Sequence, residues 1–401
     1  MKIKKVSIKD YKGLKNLDIN FENENGILNI VVLAGSNGSG KTRVLESIYK
    51  YFENTINDKV EKNKIEICFE KKEKEVDNIL QNKSTDIFKS LKNYNSYKKR
   101  NSIYSEGIIE NIEKLEKFPK IIYIPTEINF QKIKTETTNF EVEYKFLNVV
   151  NSDVIKDISS YISTKVIKTM FKEKELTTSQ AMDKVFKEIN EIFEILELDV
   201  KVSTISENGN SPVFVNFAGE KFDINELSSG EKQLFLRTLA IKMLEPENSI
   251  IMIDEPELSL HPKWQSMIVS VYQKIGKNNQ IILATHSPHI LGSVEKENIK
   301  VLYKDNSEIK IKNGEELYNS YGQPIGRILE DIMDLESDRN PEVFKQLNEI
   351  NELVDNNEYE TREFKDKYEK LKEILGEDDK ELFLIDMDIQ RKRGNINDKS
   401  K

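Results

Sequence analysis

The 401-residue chain has one cysteine, Cys68, one tryptophan, Trp264, and three histidines, His261, His286 and His289. A single thiol excludes a disulfide framework and a cysteine-built zinc site, and it suits a reducing compartment. Three histidines are too few for a histidine-rich metal cluster. Long apolar runs are also missing. Ile250–Ile253 and Ile281–Ala284 are among the longest, far short of the ~20 residues that cross a bilayer. The basic start, MKIKKVSIKDY, alternates instead of forming an apolar signal core. These absences predict a cytoplasmic protein with no membrane partner. Excess positive charge is lacking too: 61 Lys and Arg against 70 Asp and Glu leave a net charge of −9. Bulk electrostatic binding of nucleic acid is thereby excluded, and any DNA contact must come from a local patch. What is present is 37% hydrophobic and 33% charged residues, enough for a sizeable core under a highly charged surface. The length fits two or three domains, or one large α/β domain with insertions.

Strand patterns open the chain. Lys2–Lys9 and Leu17–Phe21 alternate apolar and polar residues, and Ile30–Ala34 is a continuous apolar run of the kind buried on both faces. A glycine loop follows, and Thr42–Phe52 then takes a helical period. Ile65–Phe69 and Ile121–Ile124 read as further strands. Residues 71–118 form a charged, Asn/Lys/Ser-rich insertion, and residues 145–200 a helical lobe with Met182, Val185, Phe186, Ile189, Ile192, Phe193 and Leu196 on one face. Short antiparallel strands are expected over Val200–Val215 and Lys221–Ile224, turning at Asn208–Asn210. From Ser228 onward helices alternate with strands: helix Glu231–Met243, strand Ser249–Ile253, helix Pro262–Ile275, strand Gln280–Ala284, then Lys300–Tyr303. Such alternation implies a mostly parallel sheet covered by helices. Residues 1–320 read as one domain, and residues 321–401 as a helical C-terminal tail in which Gly376 separates two helices.

Three motifs carry chemistry. Gly35-Ser36-Asn37-Gly38-Ser39-Gly40-Lys41-Thr42 fits G-x-x-x-x-G-K-[ST] between a strand and a helix. Its glycines let backbone N–H groups face inward as an anion cradle at a helix N-terminus. In that setting Lys41 reaches the β- and γ-phosphates of a nucleotide and the Thr42 hydroxyl ligates Mg²⁺. Ser249–Glu255 is an apolar strand ending in two acids, and a carboxylate at the end of a parallel strand faces the crevice where ligands bind. Asp254 is placed to hold Mg²⁺ and Glu255 to act as a general base on water. Alone this pair is a weak signal; after a phosphate loop in the same chain it is strong. Leu227-Ser228-Ser229-Gly230-Glu231 opens a helix, and local spacing by itself favours an ordinary N-cap there.

Together with Glu257–Pro262 and Ala284-Thr285-His286-Ser287-Pro288, these segments resemble the ABC-type ATPases, most closely the soluble SMC, RecF and OLD branch. The opening Ile8–Ile19 is similar to that branch's first hairpin. The resemblance implies an α/β P-loop fold with a mixed, mostly parallel core sheet, an N-terminal antiparallel β subdomain, a helical insertion lobe and a helical tail. It implies ATP and Mg²⁺ as cofactors and ATP hydrolysis as the reaction. It also implies a head-to-tail homodimer in which Ser228 and Gly230 contact the γ-phosphate held by the other subunit. Leu258–His261 matches the loop coupling the two sites, and His286 the histidine that senses the γ-phosphate. Ser229 departs from the family's glycine. Gln131 is the candidate for the glutamine that links nucleotide to helical lobe. His261 is read as a cap of the Pro262 helix and His289 as helix surface.

Spacing selects within the branch. Lys41 and Ser228 lie 187 residues apart, with neither the compact lobe of a transporter nor a sustained coiled-coil heptad between them. The chain resembles the coil-free ATPases of prokaryotic antiphage defence, such as the ATPase subunits of Septu and related retron systems. That likeness implies control of a separate effector, an HNH or other nuclease. A Toprim nuclease within this chain is not expected, because Leu384–Asp388, which imitates its Asp-x-Asp strand, has no α/β context. Lys89–Arg100 interleaves cations with Tyr94 and Tyr97, a candidate DNA contact; a solvated lysine-rich loop is the plainer reading. Phe344, Leu347, Ile350 and Leu353, at helical spacing, are expected to pack in their own core. Two other functions fit parts of the pattern: a RecF- or SMC-like repair ATPase that binds DNA itself, and a slow-hydrolysing scaffold that sequesters a toxin.

Overall fold

The computed structural model describes residues 1–56, 64–70, 119–126, 146–150, 158–206, 212–306 and 308–398. The 71–118 insertion with Lys89–Arg100, the Asn208–Asn210 turn and Gln131 lie outside the described residues. The chain forms two compact units, Met1–Ile328 and Leu329–Lys401.

In the first unit, strands β1 (Ile3–Tyr11) and β2 (Leu14–Asn20) make an antiparallel hairpin. Lys12 and Gly13 take φ of 45° and 90° at its turn, the left-handed pair that matches the twist of flanking strands. A two-residue hairpin follows, β3 (Glu22–Asn23) and β4 (Gly26–Ile27). Strand β5 (Ile30–Ala34) then enters the core, and β6 (Ile65–Phe69) returns to pair antiparallel with β1. Ile3, Val6, Ile8, Leu14, Leu17 and Ile19 bury one face of the outer sheet against Val44, Leu45, Ile48 and Phe52 of helix Lys41–Ile56.

The core sheet adds β7 (Ile121–Ile124), β8 (Leu147–Val149), β12 (Ile250–Asp254), β13 (Gln280–Ala284), β14 (Ile299–Asp305) and β15 (Glu308–Asn313). Its order is β15-β14-β5-β13-β12-β7-β8, parallel throughout except for the β14–β15 edge. Every residue of β5, β12 and β13 is buried, which is why Ile30–Ala34, Ile250–Ile253 and Ile281–Ala284 read as apolar runs. The mixed, mostly parallel α/β sheet expected from the sequence is present. Strands β8 and β15 were not foreseen. The first is three residues long and falls at the start of the expected helical lobe, whose first helix among the described residues is Ile158–Lys172. The second, Glu308–Asn313, is a half-exposed edge strand with a weak apolar pattern. The expected single helix over 262–275 is two, Pro262–Gln265 and Ile268–Gln273.

Helix Thr178–Ile195 and a small antiparallel sheet, β9 (Lys201–Ile205), β10 (Pro212–Val215) and β11 (Lys221–Asp223), support the helix Ser229–Met243. Phe193 stacks on Phe235 with ring centres 5.4 Å apart, and Phe214 meets Phe235 edge-on at 5.0 Å. Such pairs add about 0.5–1.5 kcal/mol each beyond area burial. They anchor a helix that has no exposed face through its middle: Leu234–Ile241 is buried without interruption.

In the second unit, helices Pro341–Asp355, Arg362–Leu375 and Lys380–Asp398 close on Leu347, Ile350, Val354, Tyr359, Phe364, Leu371, Leu382, Ile385 and Ile389. The apolar stripe of Leu347 and Ile350 therefore packs in its own core. Gly376, with φ of 88°, ends one helix before the next. Asp386 and Asp388 lie on the last helix, where Asp386 accepts from the Tyr368 hydroxyl at 2.8 Å. Among the described residues no helix is long and apolar enough to cross a membrane.

Candidate functional site

Parallel strands put all their C-terminal ends on one rim, so β5, β13 and β12 deliver their following loops, and β7 its following Pro125 and Thr126, to a single crevice. From β5 comes the glycine loop. Gly35, Gly38 and Gly40 hold φ of 138°, 76° and 99°, and a Cβ on Gly35 would stand 2.1 Å from the Leu302 carbonyl oxygen. Only glycine tolerates that approach. Lys41 starts the helix, 5% exposed. Its ammonium donates to the carbonyls of Gly35 at 2.9 Å and Ser36 at 3.2 Å, and lies 3.3 Å from His286 Nδ1. All three ammonium donors are thus turned onto the loop and the histidine. Burial pushes the Lys41 pKa down to about 8, against the pull of Glu255, Asp254 and Glu257. The Ser39 hydroxyl is buried without a partner, an orphan donor that an anion in the loop would satisfy.

Strand β12 contributes Asp254, which is 2% exposed. Its Oδ1 accepts from the Thr42 hydroxyl at 3.1 Å and its Oδ2 from the Thr126 hydroxyl at 2.7 Å. Burial raises its pKa, and the two threonine hydrogen bonds oppose the rise. An oxygen-only set of one carboxylate and two hydroxyls suits a hard divalent cation that keeps waters and phosphate oxygens as its other ligands. No larger metal-ligating cluster of His, Cys, Asp or Glu occurs among the described residues.

Glu255 follows with φ of 46°, a left-handed backbone rare for a residue with a Cβ. Its N–H donates to the Ala284 carbonyl at 2.8 Å. Its Oε1 lies 3.9 Å from His286 Nε2. Burial, then the Lys41 charge, lowers the His286 pKa, and so the ring is neutral at physiological pH. Nδ1 lies beside the Lys41 ammonium, the ring also hydrogen-bonds to the Gly35 backbone, and Nε2 faces Glu255. Glu257 orients this histidine from below: its Oε1 accepts from the His286 N–H and the Thr285 hydroxyl, both at 2.7 Å. Burial raises the Glu257 pKa, and those two hydrogen bonds oppose it.

The helix start at Ser228 is a capping box. The Ser228 hydroxyl accepts from the Glu231 N–H at 3.4 Å and donates to the Glu231 carboxylate at 2.6 Å. Ser228 is exposed, and among the described residues it does not bond to the glycine loop of its own chain. Gly230 is buried against the loop after β12, where a Cβ would stand 2.7 Å from the Ser259 carbonyl oxygen. Gln233 donates to the Ser259 hydroxyl at 3.3 Å, and Gln265 joins the same loop to the histidine segment, donating to the Leu260 carbonyl at 2.9 Å and accepting from the Ser287 hydroxyl at 2.6 Å. His261 caps the Pro262 helix through Nδ1, as expected. His289 is half-buried on the short helix Pro288–Leu291.

The crevice thus brings together Ser36, Asn37, Gly38, Ser39, Gly40, Lys41, Thr42, Asp254, Glu255 and His286, while Ser228 and Gly230 lie apart from them in the hydrogen-bond network. Sequence reasoning missed Thr126, Arg237 and Gln265, and gave Glu257, which it placed in a motif, no role of its own. Thr126 carried a faint signal, two residues past an apolar strand, and Arg237 a clearer one, as the one cation within the Leu234–Ile241 stretch.

Comparison with known proteins agrees with this geometry. The AAA ATPase domain family matches residues 1–291. The chain is 26% identical to the Septu protein PtuA of Bacillus thuringiensis, over 88% of this chain and 89% of that protein. It is 30% identical to the ATPase of retron Vc95 from Vibrio cholerae, over 53% of this chain and 44% of that one. An SMC head domain from Thermotoga maritima superposes with a TM-score of 0.39 at 15% identity, over 78% of this chain and 99% of that one. With a glycine loop, a paired acid strand and a histidine strand on one rim, and a family match spanning most of its length, the chain belongs to the AAA ATPase domain family and is an ATPase.

Proposed function

We propose that this ATPase binds ATP with Mg²⁺ in the β5–β12 crevice, closes head to tail with a second copy around two nucleotides, and passes its nucleotide state to a separate effector, a nuclease, in cytoplasmic antiphage defence. Thr42 and Asp254 would hold the metal, which when bound neutralises the developing phosphate charge. Lys41 exchanges its internal acceptors for β- and γ-phosphate oxygens. Glu255 takes a proton from the attacking water, and His286 contacts the γ-phosphate.

One observation supports the paired arrangement above the rest. The Ser228 helix start is exposed, and its hydroxyl and N–H are held by Glu231 of the same helix and by nothing in its own crevice. A helix start of that kind is an anion site waiting for a phosphate supplied from outside the chain. The γ-phosphate would then bridge two copies in the ATP state, and the bridge would be absent in the ADP state. The link to an effector rests on similarity to the Septu and retron proteins.

Ser228→Arg tests the pairing, because an exposed N-cap tolerates the change in fold while the longer cation blocks a facing phosphate. ATP affinity should stay near native, ATP-dependent dimers should vanish in sedimentation, and turnover should fall about 10²–10³-fold, as for loss of an oxyanion donor. Native dimerisation and turnover in this variant would refute the head-to-tail site. ATP-dependent DNA binding by the purified chain alone would instead favour the repair-type reading.

A further inference from the structure

We propose that Arg237 is a positioning residue for hydrolysis, fixing from the middle of the Ser229–Met243 helix the two backbones that carry Glu255 and Thr126. The proposal rests on the reading of Glu255 as the general base. Arg237 is 2% exposed and sits in the buried stretch Leu234–Ile241. Among the described residues no carboxylate bonds to it. Its Nη1 donates to the Glu255 carbonyl at 3.1 Å and its Nη2 to the Thr126 carbonyl at 2.7 Å, while Nε is buried without a partner. A guanidinium is a rigid fork of donors, suited to holding two acceptors at a set separation.

Both acceptors matter to the crevice. Glu255 holds a left-handed backbone, a conformation that persists only where its surroundings enforce it. Its N–H is pinned by Ala284 and its carbonyl by Arg237, so the peptide units on both sides of the residue are held. Thr126, in turn, donates to the Asp254 oxygen not used by Thr42. One side chain thereby orients the base and steadies the carboxylate beside it. Glu257 and Tyr272 also face the guanidinium, and burial lowers its pKa.

Arg237 lies nine residues beyond Ser228 on one continuous helix, roughly 13 Å along its axis at 1.5 Å per residue. A shift of the helix start on meeting a second copy's nucleotide would therefore reach the base of its own crevice without passing through a loop. An apolar residue would fill the same space without the desolvation penalty, but would leave two carbonyls unheld.

The test is a double-mutant cycle of Arg237→Met and Glu255→Gln, with Arg237→Lys as the conservative variant, read by kcat, KM, ATP affinity and thermal midpoint. Arg237→Met should lower kcat by about 10- to 100-fold, the scale of a misplaced catalytic group, with ATP affinity unchanged because Lys41 and the glycine loop are untouched. Arg237→Lys keeps the charge without the fork and should recover only part of the rate at a native thermal midpoint. Placed on Glu255→Gln, Arg237→Met should cost nothing further, since it acts through that residue. Native kcat in either Arg237 variant, equal loss of kcat and affinity, or a full extra loss in the double variant would overturn the proposal. Should Arg237→Met fail to fold, the lysine variant reads the same split. Native turnover in Glu255→Gln alone would instead refute the reading of Glu255, before Arg237 is altered.

Discussion

Replacing Glu255 by glutamine will leave ATP bound and unhydrolysed, trapping the proposed nucleotide-bridged dimer. The amide has the carboxylate's shape, so the left-handed backbone, the bond to Ala284 and the bond from Arg237 all remain. Only the ability to accept a proton from water is removed. General-base catalysis contributes about 10²–10⁴-fold, and turnover should fall on that scale. The γ-phosphate then persists, and with it the proposed bridge between two copies through Ser228. Sedimentation velocity should show a nucleotide-dependent dimer for Glu255→Gln; the same profile with and without ATP would sink the trapping mechanism.

Lys41→Ala will remove nucleotide binding itself. A charged hydrogen bond is worth about 1.5–3 kcal/mol, so deleting the ammonium should weaken affinity roughly 10- to 150-fold for every phosphate oxygen it holds. Retained affinity in Lys41→Ala would count against the glycine loop as the binding site. The same residue sets a pH signature. Without nucleotide, burial holds the Lys41 pKa at about 8, against an ordinary value of 10.5. Phosphates beside it restore the charged form, so ATP binding takes up a proton wherever the free lysine is neutral, from about pH 8 upward. Affinity should decline with rising pH in that range, and calorimetry near pH 9 in two buffers of different ionisation enthalpy should detect the uptake. Lys41→Ala should show none. Folding carries the opposite sign. The unfolded lysine binds its proton more tightly than the folded one, so this group's contribution to stability rises between about pH 8 and 10.5.

Much of this was legible in the residues themselves. The glycine loop, the acid-tipped strand at Asp254 and Glu255 and the histidine strand at His286 are local patterns, each dictated by neighbours in sequence, and so could be read before any fold was known. The apolar runs of β5, β12 and β13 announced strands buried on both faces for the same reason. Weak local patterns were the ones missed: Leu147–Val149 is too short to show a period, and Glu308–Asn313 is held in place by pairing with β14 more than by its own composition. The order of strands was beyond reach too, because β13 enters between β5 and β12 through pairings distant in the chain.

Sequence alone determined that this chain has a glycine loop of the phosphate-binding pattern and an acid pair at the end of a buried strand, since those patterns are residue types at fixed short spacings. Only the tertiary structure decided what surrounds them: Thr126 on Asp254, Glu257 beneath His286, and Arg237 braced between two carbonyls. These contacts bridge 128, 29, 18 and 111 residues of sequence. Burial of a polar group says that it must find a partner, but not which one, and that choice is made when the sheet brings its strand ends to one rim.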